Sequence, residues 1–197
     1  MNIIYLLSEP IKWLYVKYNK YRYPQFLKDT FLTIGDNLII DIKTSSFSKS
    51  TINTGNNVYI GAGAWIHADL DIGNNVMFGP RCTIIGGDHL FGVKGKSNRF
   101  LQPLNRNSAK KIIIEDEVWC GANVIINKGV IIGMGAVIGS GSVVVKSIPP
   151  YTVAVGNPAI VKKKIFEDHE LIEHLKLIGY KNDIAQNIVL RRTQMIR

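Results

Sequence analysis

In this 197-residue chain the side chains best suited to proton transfer or nucleophilic attack near neutral pH are four histidines and two cysteines. Their settings differ. His169 and His174 fall in a C-terminal stretch of helical character, and His67 follows Ile66 within a run of short apolar repeats. His89 stands at the root of a polar excursion. The chain runs Ile85-Gly86-Gly87-Asp88-His89-Leu90-Phe91-Gly92, then through a Gly- and Asn-bearing segment to about Lys111. An imidazole placed by a rigid scaffold at the mouth of such a loop can act as general base, taking the proton of a weak nucleophile as it attacks. The alternative is a histidine satisfied as a polar core residue. Asp88 is adjacent, but neighbours in an extended chain point to opposite sides. It is therefore expected to anchor the loop, and a carboxylate or carbonyl from elsewhere to hold the second ring nitrogen.

The elements that must position His89 follow a period of six. From Thr54 the chain reads TGNNVY, IGAGAW, IHADLD, IGNNVM, FGPRCT and IIGGDH; from Ile114 it reads IEDEVW, CGANVI, INKGVI, IGMGAV, IGSGSV and VVKSIP. The first position is a medium apolar residue, the second is often glycine, and the fifth is small or branched, as in Val58, Ala64, Val76, Val118 and Ala136. Ile84 and Ile114 are thirty residues apart, five sixes, so the chain leaves the repeat and returns in phase. Such a period predicts a three-sided prism of short parallel strands, one hexad per face. First-position side chains stack inward about 4.8 Å apart, and stacking supplies the core that no single coil can make. A sandwich of ordinary strands would show a period of two and irregular turns instead.

Cys120 takes a first position and Cys82 a fifth, so both are expected to be small buried hydrophobes rather than nucleophiles. Upstream, Thr33–Leu38 reads as an earlier hexad with Ile40 next in phase, after which Ser and Thr blur the pattern up to Ile52. Three units are expected: a capping helix over 1–30, a prism over 31–160 with an excursion loop over 90–111, and a helical extension over 161–197. The first has Ile4, Leu7, Ile11, Leu14, Tyr15 and Tyr18 at helical spacing, and either closes the prism or rests on a membrane surface. In the last, helices are expected over 166–178 and 183–193, separated by Gly179.

The net charge of +9 is compatible with nucleic acid, anionic membrane or phosphorylated ligands. No helix-turn-helix, zinc-finger spacing or RNA-binding aromatic motif supports nucleic acid. A metal site of three converging histidines fails on count, since only His67 and His89 lie in the prism. No apolar run is long enough to cross a bilayer. The start, MNIIYLL followed by Glu9-Pro10, does not read as a signal peptide. With two cysteines and no disulfide framework, a cytoplasmic location is expected.

Two stretches carry a family resemblance. Ile72-Gly73-Asn74-Asn75-Val76 through Pro80 to His89 is similar to the segment leading to the catalytic histidine of galactoside and maltose O-acetyltransferases. Val118-Trp119-Cys120-Gly121-Ala122, continuing through Lys146, Ile148-Pro149-Pro150 and Gly156-Asn157-Pro158-Ala159, is similar to the same family. It also resembles streptogramin acetyltransferases and O-acetyltransferases of bacterial surface polysaccharides. The resemblance covers roughly 52–165 and implies an all-β, left-handed parallel β-helix of hexapeptide repeats, an exception to the right-handed crossover rule. It further implies acetyl-CoA as co-substrate, no metal, a homotrimer with the co-substrate between two prisms, and direct transfer to a sugar or polysaccharide hydroxyl with His89 as base. The Ala122 N–H would receive the oxyanion, Ser140 and Val145 would lie along the pantetheine arm, and Lys146 and Lys163 would meet the phosphates. Ile160 stands where relatives often carry Arg or Lys, leaving Lys162 and Lys164 to compensate. Trp119 would stack on a ligand or pack at the trimer seam. The excursion's Lys94, Lys96, Arg99 and Arg106 would favour an anionic saccharide acceptor, or belong to a solvated loop. An amino-sugar N-acetyltransferase and a non-catalytic trimeric module stay open as alternatives.

Overall fold

The computed structural model of the chain describes residues 25–48, 51–101 and 110–196. The chain winds through three parallel sheets, each coil giving one short strand to each face. With strands numbered along the chain, the first face stacks β1 (Phe31–Ile34), β4 (Ile52–Thr54), β7 (Leu70–Ile72), β10 (Ile112–Ile114) and β13 (Ile131–Ile132). The second stacks β2 (Ile39–Ile40), β5 (Tyr59–Ile60), β8 (Met77–Phe78), β11 (Trp119–Cys120), β14 (Val137–Ile138) and β16 (Thr152–Val155). β17 (Ile160–Lys164) closes that face as an antiparallel edge. The third stacks β3 (Ser46–Phe47), β6 (Trp65–His67), β9 (Thr83–Ile85), β12 (Ile125–Asn127) and β15 (Val143–Val144).

Side chains at the repeat's first position form the core columns: Ile60, Phe78, Cys120, Ile138 and Ala154 on one face, and Ile66, Ile84, Ile126 and Val144 on another, all buried. Phe78 fits because the residue in register above it is the small Cys120. Corners are held by a polar ladder. Asn37 donates from Nδ2 to Asn57 Oδ1, and Asn57 to Asn75, each over 3.1 Å. These asparagines take positive φ, which Asn tolerates better than most residues, and their repetition is what the GNN motif encodes.

The blurred stretch before Ile52 belongs to the prism. Ile39 pairs with Tyr59 and Ser46 with Trp65, at separations of twenty and nineteen residues against eighteen in the next coil (Tyr59 with Met77). Small insertions at the corners shift the phase without interrupting the strands. The excursion adds twenty-four residues to one coil, since Trp119 lies in register with Met77 forty-two positions earlier. The final coil is two residues short, with Val153 paired to Val137.

Helices α1 (Asp168–Leu177) and α2 (Asn182–Ile196) fold back onto the prism. Arg191 of α2 grips Glu115 with both terminal nitrogens, and the Tyr151 hydroxyl donates to Glu117. Arg192, wholly buried, reaches Asp168 and the Phe166 carbonyl. Residues 25–30 are helical and the rest of the expected capping helix lies outside the described residues, as does Arg106. Among the described residues no helix is long and apolar enough to cross a membrane.

Candidate active site

The excursion leaves the prism at the end of β9, and its root is locked. The Gly86 N–H donates to the His67 carbonyl of the coil below over 2.8 Å. A Cβ on Gly86 would come within 2.6 Å of the Ala68 Cα, so only glycine lets the chain pass there. Asp88 pairs with Lys128, just beyond β12 in the coil above. The predicted anchoring role of Asp88 is therefore what the structure contains, and His89 follows directly from a point tied both below and above. Its ring is exposed, and none of the described side chains or carbonyls holds either nitrogen. The expected brace is thus not supplied within the described part of one chain. Beyond it, Phe91 and Phe100 project into solvent with Lys94, Lys96 and Arg99, while a short turn at Asn98–Phe100 is tied by Asn98 Oδ1 accepting from the Gly92 N–H.

Ala122 and Ser140 stack at the corner between the second and third faces, one coil apart. The Ala122 N–H donates to the Ser140 hydroxyl at 3.2 Å, the long end of the normal range. The amide offered for a developing oxyanion therefore already has a weak, displaceable partner. Gly141 beside it has φ of 73° and open space over its α-carbon, so an extended ligand arm can approach the backbone.

Lys146 and Lys163 meet in one cavity of about 490 Å³ at the end of the prism, lined also by Ile148, Ala159 and Met195. Val145, exposed, is the neighbour of Lys146. Lys162 lines the same cavity, but Lys164 is committed to Asp168 at 3.0 Å and cannot stand in freely for the missing cation at Ile160. Cys82 and Cys120 are buried and unpaired. Burial pushes the Cys82 thiol up to about 11 and Cys120 well above its usual range, so neither is a thiolate nucleophile at neutral pH. Among the described residues no group of three His, Cys, Asp or Glu could hold a metal.

The predicted residues thus fall in three places on one chain: His89 at the excursion root, Ala122 and Ser140 at a corner, and Lys146 and Lys163 in the end cavity. Asp88, which fixes His89, is tied to the far edge of the third face by Lys128, whereas Ala122 starts the near edge. Trp119 lies on the second face, outside, in register with Ile39, Tyr59 and Met77, and all four are between 45% and 55% exposed. That apolar stripe needs alignment of four coils to be seen; single exposed positions in the sequence do not announce it. Also unforeseen is a stack of Trp65 on His67, rings 4.1 Å apart, below the excursion root.

No family model matches the chain. It is 37% identical over 158 residues to a galactoside O-acetyltransferase of Lactococcus lactis, covering 78% of this chain and 73% of that protein. To the galactoside O-acetyltransferase of Escherichia coli it is 34% identical over 141 residues, covering 71% and 66%. A hexapeptide-repeat acetyltransferase of Vibrio cholerae, solved with acetyl coenzyme A, superposes with a TM-score of 0.65 at 26% identity, over 75% of this chain and 79% of that one. The chain belongs to the hexapeptide-repeat acetyltransferases.

Proposed function

We propose that the protein transfers an acetyl group from acetyl coenzyme A to a hydroxyl of a sugar or polysaccharide, with His89 as general base. The reading rests above all on His89, exposed at a loop root locked to the coils below and above. The galactoside O-acetyltransferase relatives supply the acceptor class. The imidazole takes the hydroxyl proton as the oxygen attacks the thioester carbonyl. The Ala122 N–H exchanges Ser140 for the resulting oxyanion. Collapse expels the coenzyme A thiolate, which recovers the proton from the imidazolium. No enzyme-bound acyl group is needed because the thioester is already activated. Lys146 and Lys163, in their shared cavity, hold the phosphate end, and the arm runs past Ser140 and Val145.

The working unit is a homotrimer. On one chain Ala122 precedes β12 and Lys128, which holds Asp88, follows it, so the root of His89 and Ala122 belong to opposite edges of the third face, six residues and at most about 22 Å apart. His89 must reach the attacking hydroxyl and the Ala122 amide the oxygen of the carbonyl under attack, so both must stand at one reaction centre. A histidine from one copy and an amide from the next satisfy this, and the Ile39–Tyr59–Met77–Trp119 stripe offers the apolar seam. The two buried, unpaired thiols suit a reducing compartment such as the cytoplasm.

The test is thiol release from acetyl coenzyme A across sugars, amino sugars and alcohols, with His89→Ala alongside. Release dependent on a sugar hydroxyl, and reduced at least about a hundredfold in the variant, is the expected result. Release with amino sugars alone would make the enzyme an N-acetyltransferase. Release unchanged in His89→Ala would remove His89 from the mechanism, and no binding of acetyl coenzyme A would leave a structural module.

A further inference from the structure

The outer surface of the third face carries an aromatic group that the transfer chemistry leaves unused. Trp65 and His67 alternate outward on β6, and their rings stack at 4.1 Å with 21° between planes. The His67 Nε2 is bonded to the Ser46 hydroxyl at 2.9 Å, which fixes the imidazole against the indole. Partial burial lowers the His67 pKa from its usual value, which favours the neutral ring in the stack. Trp65 nevertheless remains 44% exposed. Its cross-strand neighbours in register are the short Ser46 and Thr83, and Gly63 precedes it by two residues. The indole therefore stands up as a ridge with small residues around it.

This ridge is attached to the excursion root. The Gly86 N–H donates to the carbonyl of His67 itself, and Ile85 lies in register with His67. His89 is four residues past Ile85, the residue in register with His67, a reach of at most about 14 Å, and the Trp65 ring stacks 4.1 Å from His67. That upper limit covers roughly one to three pyranose rings. A flat, exposed aromatic ring with a hydroxyl and an imidazole at its side is the chemistry that receives the apolar face of a sugar and bonds its edge hydroxyls.

We infer that Trp65, backed by His67 and Ser46, is an acceptor shelf on which a neutral pyranose ring lies while one of its hydroxyls reaches His89. The inference rests on the saccharide reading above. A purely apolar stripe already accounts for a subunit seam on the second face, whereas the mixed aromatic and polar character of this patch suits a saccharide.

The experiment compares Trp65→Ala and Trp65→Phe in acetyl transfer to galactosides, glucosides and maltose, with particle mass followed by light scattering. Trp65→Ala is expected to raise the acceptor KM roughly tenfold, leaving the KM for acetyl coenzyme A and the mass unchanged; Trp65→Phe keeps a ring and recovers most of the loss. An unchanged acceptor KM in Trp65→Ala, or dissociation into smaller particles, overturns the shelf. A second arm needs no turnover. Tryptophan fluorescence of His89→Ala is titrated with the same sugars, and the response is expected to vanish in His89→Ala/Trp65→Phe. A Trp65-dependent response from an enzyme that acetylates no sugar would keep the shelf and sink the O-acetyltransfer reading. Sugar acetylation with a Trp65-independent KM would do the reverse.

Discussion

At the scale of single residues, the Ala122 amide is the most informative group. Its partner is a hydroxyl at 3.2 Å, and a hydrogen bond of that kind is worth about 0.5–1.5 kcal/mol net. If the amide must be given up to an oxyanion, Ser140→Ala removes the competitor and kcat is expected to hold or rise a few-fold. A fall of more than about tenfold in steady-state assays would instead make the hydroxyl part of the catalytic apparatus. Gly86 acts through position alone. An added Cβ meets backbone rather than a flexible side-chain tip, so Gly86→Ala is expected to displace the loop root. The predicted kinetic signature is a lower kcat with the KM for acetyl coenzyme A preserved, because the cavity of Lys146 and Lys163, proposed to hold the phosphates, lies at the far end of the prism.

Among the elements, the two C-terminal helices carry an acid-sensitive tie. Asp168 is held below the usual carboxylate range by hydrogen bonds from Lys164 and Arg192. A depressed folded-state pKa stabilises the fold above the unfolded value, and that contribution is lost as pH falls through the folded one. Docking of α1 and α2 is therefore expected to weaken below about pH 4, the range of a free Asp, and thermal unfolding of Asp168→Asn should lack this acid-dependent component. Arg192 makes the same point from the buried side. Asp168→Ala leaves a buried guanidinium with the Phe166 carbonyl alone and is expected to cost about 1–3 kcal/mol, discounted for the exposure of the aspartate. Arg192→Met, filling the slot without charge, is expected to cost less in the same melts.

For the whole molecule, assembly and activity are predicted to fail together. Met77 sits mid-stripe between Tyr59 and Trp119, so Met77→Asp places a charge in the proposed seam. Light scattering is expected to report monomers, and transfer should fall with the mass although Met77 touches no reacting atom. A complementary measurement mixes two inactive proteins by co-expression, His89→Ala and Ser140→Trp, the second filling the arm's path. A shared site regains activity in mixed trimers, whereas sites confined to one chain would stay dead.

The period of six determined the prism, because each inward residue must stack on its equivalent one coil away and only a strict repeat keeps Ile66, Ile84, Ile126 and Val144 in one column. It also located the excursion and its histidine, since any departure from so regular a scaffold is visible in sequence. Strands with short insertions at their corners were harder to read: Ile39–Ile40 and Ser46–Phe47 pair normally, but added corner residues shift the phase that sequence inspection follows. What the outward faces of the prism bring together was decided by tertiary structure alone. Outward positions carry no packing constraint within their own coil, so the Ile39–Tyr59–Met77–Trp119 stripe and the Trp65–His67–Ser46 group exist only once residues eighteen to forty-two positions apart are brought to strand spacing.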